Sequence, residues 1–299
     1  MNTLIIGDPH CDSKRPEAWK VGTASIFRFL EKSPNKFSRC IITGDMYNKA
    51  PAIADRILFA QFIKKLNKHV EEIIFIKGTD THEYSQGNYN LEDWCLLLGI
   101  KAVEEFSIGA YVFGHYEVKG TKYITGFVST SEREVDPDRT YLLGHIHSPE
   151  CSFKNVCYVG SIYKTSFAER FDQKRIATII EGKLNFHNIK SLPMIQLNFE
   201  GKKGSVKVKT TQLWNILKEW DKEAPIDIKI NAEVDSVTAP SLNRIIIQIK
   251  KKYNIEYYQQ DISITELKTD IPKNLDRTEL LKKYCKQKNT DFSLVEKEL

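Results

Sequence analysis

Short apolar runs alternate with longer amphipathic segments up to about residue 190, and this alternation restricts the fold more than any other feature of the chain. Each run is rich in Ile, Val and aromatic residues and stops at glycine, as buried strands do. The segments between the first three runs repeat their apolar residues at helical spacing. This pattern predicts an α/β layered core with active groups at the carboxyl ends of the strands. The runs are TLIIGD, RCIITGD, EIIFIKG, AYVFGH and TYLLGH.

The composition predicts a folded, water-soluble protein. Its 299 residues are 41% hydrophobic and 28% charged, which is ordinary for a globular chain and enough for a large domain and a smaller one. The opening MNTLIIGDPH lacks a basic lead and a long apolar run, so we expect neither a signal peptide nor a membrane span. Six cysteines are scattered without a C-x-x-C pair, which favours reduced thiols and a cytoplasmic location.

The chain changes character after its first 193 residues, and we expect three parts. Residues 1–193 contain all the runs described above. Residues 194–270 include a strand, a helix from Ala239 to about Tyr253 and a second strand, without residues typical of catalysis. Residues 271–299 include LDRTELLKKYCKQKN, which is helical in period and rich in lysine.

The formal net charge of +5 is a mild bias toward anionic partners. Lysines cluster in GKKGSVKVK, IKKKY and LLKKYCKQK, and such groups bind phosphate backbones without regard to sequence. A solvated helix face explains Lys250 to Lys252 equally well. Charge alone therefore does not establish nucleic-acid binding.

Polar residues able to bind a metal follow every run. Five of the seven histidines lie at these ends, which a random scatter would not give. Residues i and i+2 of an extended segment point the same way, so Asp8 with His10, and His145 with His147, can each face one locality. Mixed carboxylate and imidazole ligands suit manganese, iron or zinc better than calcium. The candidates are Asp8, His10, Asp45, His82, His115, His145 and His147.

Two such pairs and a shared carboxylate are the minimum parts of a two-metal site, in which Asp45 is the best bridging ligand. Two divalent cations about 3.5–4 Å apart would lower the pKa of a bridging water and hold phosphate oxygens during in-line displacement. Phosphoester hydrolysis is therefore the expected reaction. Taken singly, D-x-H and G-D mark ordinary turns. Their order at successive strand ends favours a metal site, and His69 and His187 lie outside that order.

The series GDPH, GDMYN, GTDTHE, FGHYEVKG and LGHIH resembles the calcineurin-like metallophosphoesterases, whose pattern is D-x-H, G-D-x-x-D, G-N-H-[DE], G-H and G-H-x-H. Within that superfamily, GHIHSPECSFKNVCYVGSIYKTSFAER resembles the SbcD-type DNA repair nucleases of bacteria and tailed phages. The resemblance implies a four-layer α-β-β-α sandwich for residues 1–193 and a capping domain for residues 194–270. It also implies that residues 271–299 dock on an SbcC-type ATPase. For a phage protein the cytoplasm would be the host's.

The resemblance also implies a role for each candidate. Two divalent ions would be bound, with manganese favoured over magnesium, iron or zinc. His82 would support the transition state and protonate the leaving oxygen. The first ion would be held by Asp8, His10, Asp45 and His147. The second would be held largely by Asp45, His115 and His145.

Two positions depart from the family pattern. GTDTHE lacks the asparagine whose amide oxygen binds the second metal, so Thr79, Asp80 or water would supply an oxygen, and charge favours Asp80. Asn48 replaces the last aspartate of G-D-x-x-D and would orient its neighbours by hydrogen bonds. Glu83 occupies the Asp/Glu position and would orient His82.

Contacts with partners follow from the same resemblance. Tyr163, Lys164 and Arg170 would approach a DNA strand. An apolar stripe in the second helical segment would line either a homodimer interface or the core of the monomer. Its members are Ile53, Ile57, Phe59, Ala60, Phe62 and Ile63.

These features predict a metal-dependent DNA nuclease, with 3′-to-5′ exonuclease and single-strand endonuclease activity, that acts in repair or recombination with an ATPase. A phosphodiesterase for small or cyclic nucleotides would use the same site, but the lysine-rich last third of the chain would then have no role in binding the substrate. A non-catalytic DNA-binding subunit is a third hypothesis, motivated by the altered GTDTHE loop and Asn48. Retention of the other ligands argues against it.

Overall fold

The computed structural model describes residues 1–83, 91–121, 128–153 and 155–265. Within these ranges the chain forms three mixed sheets and six α-helices, which confirms the predicted α/β class. The strands are β1 (Thr3–Ile6), β2 (Phe37–Ile42), β3 (Val70–Ile76), β4 (Lys101–Val103), β5 (Phe106–Ile108), β6 (Tyr111–His115), β7 (Thr140–Gly144), β8 (Glu150–Phe153), β9 (Val156–Tyr158), β10 (Arg175–Ile180), β11 (Lys183–Asn188), β12 (Met194–Lys202), β13 (Ser205–Val208), β14 (Ile226–Asp235) and β15 (Ile255–Thr265). The helices are α1 (Pro16–Lys32), α2 (Ile53–Leu66), α3 (Asp80–Glu83), α4 (Leu91–Leu97), α5 (Thr211–Glu219) and α6 (Ala239–Lys252).

The first sheet has the order β11-β10-β1-β2-β3-β4, and β1 to β4 run parallel. Successive side chains of a strand point to opposite faces, so each of these apolar strands contributes to two cores. On one face Ile6, Ile42 and Phe75 pack with residues of α1 and α2 such as Ile26 and Phe59. Burial of one such side chain contributes about 1.5–3 kcal/mol relative to exposure. This helix layer holds the strands that lead to the site.

The other face of the first sheet packs against the second sheet, whose order is β5-β6-β7-β9-β8. Ile5 and Ile41 of the first sheet share one core with Phe113 of the second. Gly144, at the end of β7, lies so close to β2 that an added Cβ would be 1.9 Å from the carbonyl oxygen of Thr43. The carboxyl ends of strands from both sheets therefore meet at one edge.

Residues 194–265 form a third sheet of order β13-β12-β14-β15 with a core of its own. Helix α6 is the helix predicted from Ala239, and it buries Leu242, Ile246 and Ile249 at helical spacing. The predicted partner-binding helix in residues 271–299 lies outside the described residues.

The apolar stripe of α2 is divided between core and surface. Phe59, Phe62 and Ile63 are buried, whereas Ile53 and Ile57 are 76% and 52% exposed. Half of the six-residue stripe thus belongs to the core of the monomer. The homodimer interface remains a prediction that depends on the two exposed isoleucines.

The expectation of a fully reduced set of thiols is wrong at one position. Cys11, Cys40 and Cys95 are free and buried, but Cys157 is disulfide-bonded. In the antiparallel β8–β9 pair, position 157 lies opposite position 151, which is also a cysteine. The spacing of the cysteines along the sequence did not reveal this adjacency. Among the described residues, no helix combines the length and apolarity needed to cross a bilayer.

Candidate metal centre

Four side chains converge where β1, β2 and β7 end. Asp8 and His10 follow β1, Asp45 follows β2, and His147 follows β7. One ligand atom from each lies within 4.8 Å of the others, and the first three residues are at most 2% exposed. Two carboxylates and two imidazoles buried together could hold a metal ion. They are the four residues predicted for the first ion.

The backbone adopts an uncommon conformation at this cluster. His10, Asp45 and His145 have φ angles of +46°, +47° and +83°, in the left-handed region that residues other than glycine rarely occupy. Each such residue costs about 1–3 kcal/mol and persists only where its surroundings impose it. Here the amides of His10 and Cys11 donate to the carbonyls of Asp45 and Met46, both at 3.0 Å. The pairing of the two loops maintains the turns that carry both ligands.

One backbone oxygen orients two of the imidazoles. The carbonyl of Tyr47 accepts hydrogen bonds from Nδ1 of His10 at 3.3 Å and from Nδ1 of His82 at 3.0 Å. Because Nδ1 donates in this contact, Nε2 presents a lone pair whenever the ring is neutral. Burial, and then the neighbouring His147, keeps the pKa of His10 well below its usual value, so this ring is neutral. Its Nε2 is buried without a hydrogen-bond partner, as expected of an atom that binds a metal.

His115 faces Asp45 from the second sheet. Its Nδ1 donates to the carbonyl of Thr43 at 2.6 Å, so Nε2 is directed at Oδ1 of Asp45, 3.1 Å away. Nε2 nevertheless makes no well-aligned hydrogen bond. Burial would lower the pKa of His115, but the carboxylates of Asp8 and Asp45 outweigh it and raise the pKa to about 9. Either a proton or a cation next to Nε2 would stabilise this contact.

The two carboxylates of the cluster differ in pKa. Burial raises the pKa of Asp8 to about 6, although His115 acts to lower it. Burial acts in the same way on Asp45, but His115, whose Nε2 faces Oδ1 of Asp45, holds the pKa of Asp45 well below the usual range. Asp45 is therefore the more firmly ionised of the two at neutral pH.

A buried network lies behind His147. Its Nδ1 lies 2.7 Å from Oγ1 of Thr165, whose hydroxyl donates to Oε1 of Glu169 at 2.5 Å. Nζ of Lys174 lies 2.5 Å from Oε2 of Glu169, and both side chains are buried. Burial would raise the pKa of Glu169, but His147 and Lys174 hold it well below its usual range. The network directs Nε2 of His147 toward the cluster, and no local sequence signal marks Lys174.

His145 contributes differently from His147. Its backbone N–H donates to Oδ2 of Asp8 at 2.8 Å, and its ring centroid lies 5.3 Å from that of His115. Its Nε2 lies 3.3 Å from Oε1 of Glu117, a residue absent from the predicted site. The position of Glu117, two residues after a predicted ligand, is the signal that would have revealed it.

His82 lies at the open side of the cluster. Its Nε2 is 4.0 Å from Oδ2 of Asp45, its ring centroid is 4.9 Å from that of His10, and 28% of its side chain is exposed. His82 is therefore accessible to a substrate bound at the cluster.

The loop after β3 brings Thr79, rather than Asp80, to the cluster. Thr79 donates to Oδ1 of Asp45 from its backbone N–H at 2.8 Å and from its hydroxyl at 2.9 Å. Helix α3 begins at Asp80, whose side chain is exposed. The sequence-based preference for Asp80 therefore has no support in the structure, because the chain turns into the helix at that residue.

Glu83 and Asn48 hold loops in place. Glu83 accepts a hydrogen bond from the amide of Gly78 at 2.6 Å, so it fixes the loop after β3 rather than the ring of His82. Burial raises the pKa of Glu83 to about 8, so this carboxyl is largely protonated at neutral pH. Nδ2 of Asn48 donates to Oδ2 of Asp12 at 3.0 Å, which is the orienting role expected of an amide.

Tyr163 is not accessible to a DNA strand, contrary to the prediction. It is 1% exposed, and its hydroxyl donates to the carbonyl of His10 at 2.5 Å, so it supports the loop after β1. Lys164 and Arg170 are half-buried, and Nζ of Lys164 donates to the carbonyl of Arg170 at 3.0 Å. Of the three residues predicted to contact DNA, only Lys164 and Arg170 are partly accessible to solvent.

No protein-family model matches the chain, and no curated protein matches it. The chemistry of the site is therefore inferred from the residues themselves. A group of buried carboxylates and imidazoles with partly exposed histidines at its edge can bind a divalent cation and admit an anionic substrate from one side.

Proposed function

We propose that this protein is a metal-dependent DNA nuclease that hydrolyses phosphodiester bonds with two divalent ions, preferably manganese. The proposal is carried by the buried cluster of Asp8, His10, Asp45 and His147, with His115 facing Asp45 from the second sheet. The motifs that supply these residues resemble those of SbcD-type repair nucleases. That resemblance extends the proposal to 3′-to-5′ exonuclease and single-strand endonuclease activity with an SbcC-type ATPase.

Asp45 is suited to serve two ions. Its Oδ2 lies 3.7 Å from Nε2 of His10, and its Oδ1 lies 3.1 Å from Nε2 of His115. The two oxygens of one ionised carboxylate thus each face a different imidazole. This arrangement supports a first ion beside His10 and a second beside His115.

The ions, when bound, would supply electrostatic stabilisation of the phosphate and activation of the attacking water. The side chains of the cluster would orient the scissile phosphate relative to His82. In its protonated state, His82 would donate from Nε2 to the leaving oxygen, while its Nδ1 stays bonded to the Tyr47 carbonyl. Its partial exposure leaves room for the phosphate to approach.

The four-layer sandwich is part of the same proposal. Helices α1 and α2, the first sheet and the second sheet would be three of the layers, and the fourth would cover the outer face of the second sheet. Val118 and Ile146 line that face among the described residues. The third sheet would be the capping domain, and an SbcC-type ATPase the partner.

DNA is favoured over a small substrate by positive charge outside the cluster. The chain has a net charge of +5, and Lys164 and Arg170 lie in the segment that supports His147. Exposed lysines continue on the third sheet and α6, where Lys202 and Lys250 are examples. Such groups would bind a phosphate backbone with an affinity that falls with salt.

The test is cleavage of end-labelled duplex and single-stranded DNA by purified protein, with and without manganese. We expect manganese-dependent cleavage that Asp8→Ala abolishes. Asp138→Ala is the matched control, because it removes an exposed aspartate that precedes β7, at the opposite end of the strand from His147. Absence of cleavage, or equal cleavage by Asp8→Ala, would contradict the proposal.

The same preparation distinguishes the competing hypotheses. Turnover of bis(p-nitrophenyl) phosphate that DNA does not inhibit would indicate a phosphodiesterase for small substrates. Salt-sensitive DNA binding without any turnover would indicate a non-catalytic subunit.

A further inference from the structure

Arg15 connects the third sheet to the first. It precedes α1, is 5% exposed, and its Nη2 donates to Oδ2 of Asp227, a fully buried residue of β14. The two residues are 212 positions apart in the chain. A buried ion pair at such a junction contributes little net stability after desolvation, but removing one partner leaves an uncompensated charge. The pair therefore fixes the position of the third sheet relative to the start of α1 more than it stabilises the fold.

The second nitrogen of the guanidinium holds a different segment. Nη1 of Arg15 donates to the carbonyls of Lys164 at 2.9 Å and Thr165 at 3.2 Å. The guanidinium carbon also lies 5.3 Å from the ring centroid of Tyr163 and 5.1 Å from that of Tyr257, a residue of β15. One planar cation thus fixes the segment 163–165 against the third sheet.

The segment 163–165 supports two of the metal-site histidines. The hydroxyl of Tyr163 donates to the carbonyl of His10, and Oγ1 of Thr165 accepts from Nδ1 of His147. A continuous series of contacts therefore runs from Asp227 through Arg15 to His147.

A separate contact keeps the third sheet docked. The carboxylate of Glu256, on β15, accepts hydrogen bonds from the amides of Glu17 at 2.7 Å and Ala18 at 3.0 Å, at the start of α1. The rings of Phe167 and Tyr257 also stack with centroids 5.9 Å apart. Loss of the Asp227 carboxylate would therefore disturb the segment 163–165 without releasing the sheet.

We infer that Asp227, acting through Arg15, is a positioning residue for the metal ligand His147, so that docking of the third sheet and metal binding are energetically coupled. This inference rests on the metal site of the proposed function. Coupling of this kind is reciprocal, so metal binding also stabilises the docked third sheet.

The test is calorimetric titration of metal-free protein with manganese, under nitrogen at pH 8. Burial raises the pKa of Asp227 to about 7, so the carboxylate is largely ionised under these conditions. Asp227→Asn removes the charge and keeps the shape. Asp261→Asn is the matched control, because Asp261 is on the same sheet, pairs with Lys229 and is 58% exposed.

We expect Asp227→Asn to weaken manganese binding about tenfold, the lower end of the effect of groups that orient metal ligands. Asp261→Asn should leave the affinity unchanged. A purely structural role would lower the melting temperature of the metal-free protein without changing the affinity of its folded form, which circular dichroism would verify. Folded Asp227→Asn with an affinity within twofold of wild type would overturn the inference.

Two further variants keep the test decisive if Asp227→Asn does not fold. Arg15→Lys retains a cation beside Asp227 but cannot also reach the two carbonyls, so it should weaken manganese binding. Thr165→Val should also weaken manganese binding. The double variant that combines Arg15→Lys with Thr165→Val should bind manganese no more weakly than Thr165→Val alone. If the losses of binding free energy in the two single variants add fully in the double variant, the inference is overturned. If the wild-type protein binds no manganese, the proposed metal site itself is overturned. If the wild-type protein binds manganese and Asp227→Asn does not change the affinity, only the inference about Asp227 is overturned.

Discussion

Nε2 of His115 lies 3.1 Å from Oδ1 of Asp45, and without metal the carboxylates of Asp8 and Asp45 retain a proton on this imidazole that the unfolded chain would release. The folded pKa of about 9 is above the ordinary 6.5, so the resulting stabilisation is complete below pH 6.5 and is lost as the pH rises through 9. The buried Glu83 has a pKa of about 8 in the folded protein against an ordinary 4.5. Its contribution to stability therefore also falls as the pH rises, because folded protein again binds more protons than unfolded protein.

The melting temperature of metal-free protein should therefore fall between pH 6.5 and pH 9. Manganese should raise it by an amount that grows over the same range, since a metal competes better as the site loses its protons. Scanning calorimetry in EDTA and in excess manganese measures both trends. Glu83→Gln should flatten part of the metal-free slope. A metal-free melting temperature that rises with pH would refute the assignment.

His82→Gln should reduce the cleavage rate about 10²- to 10⁴-fold, the usual contribution of general acid–base catalysis. Manganese affinity should be unchanged, because Nε2 of His82 lies 4.0 Å from Asp45 at the open side of the cluster. Single-turnover cleavage and calorimetry measure the two effects separately. His69→Gln is the matched control outside the site. An equal loss of metal affinity would mean that His82 is a ligand.

Thr79→Val should weaken manganese binding about tenfold, whereas Asp80→Asn should not change it. The valine removes the hydroxyl bond to Oδ1 of Asp45 and leaves the backbone bond in place. A hydrogen bond to a charged group contributes about 1.5–3 kcal/mol, and 1.4 kcal/mol corresponds to tenfold in affinity. The reverse order of effects would restore Asp80 as the oxygen ligand.

Lys174→Met should destabilise the protein by about 3–5 kcal/mol, because it leaves Glu169 buried without its cation. Urea unfolding followed by circular dichroism measures the change. Lys209→Met is the matched control, since Lys209 pairs with Glu200 in water and should have almost no effect. Adding Glu169→Gln to Lys174→Met should recover part of the loss, and failure to do so would show that the pair is not the cause.

Local chemistry made much of the site predictable. A glycine and a polar residue after an apolar strand mark its carboxyl end, and parallel strands bring such ends together. Asp8, Asp45 and His147 could be recognised in this way. The choice between Thr79 and Asp80 could not, because it depends on where α3 begins.

Long-range contacts were the part that sequence could not supply. A tyrosine has an apolar body and a polar tip, so its sequence position did not reveal that Tyr163 would donate to a carbonyl in the core instead of meeting DNA. Lys174 looks like any surface lysine until Glu169 is seen beside it. The pairing of Arg15 with Asp227 joins distant segments and has no local signature.

The Tyr47 carbonyl is a main-chain atom, and this has a consequence for genetics. An alanine scan cannot delete it, so the group that sets the tautomers of both His10 and His82 would leave no trace in a mutational map. Selection could also exchange the residue type at position 47 while keeping that oxygen in place. Only a backbone edit, such as an ester replacing the amide that follows, would reveal how strongly the two imidazoles depend on it.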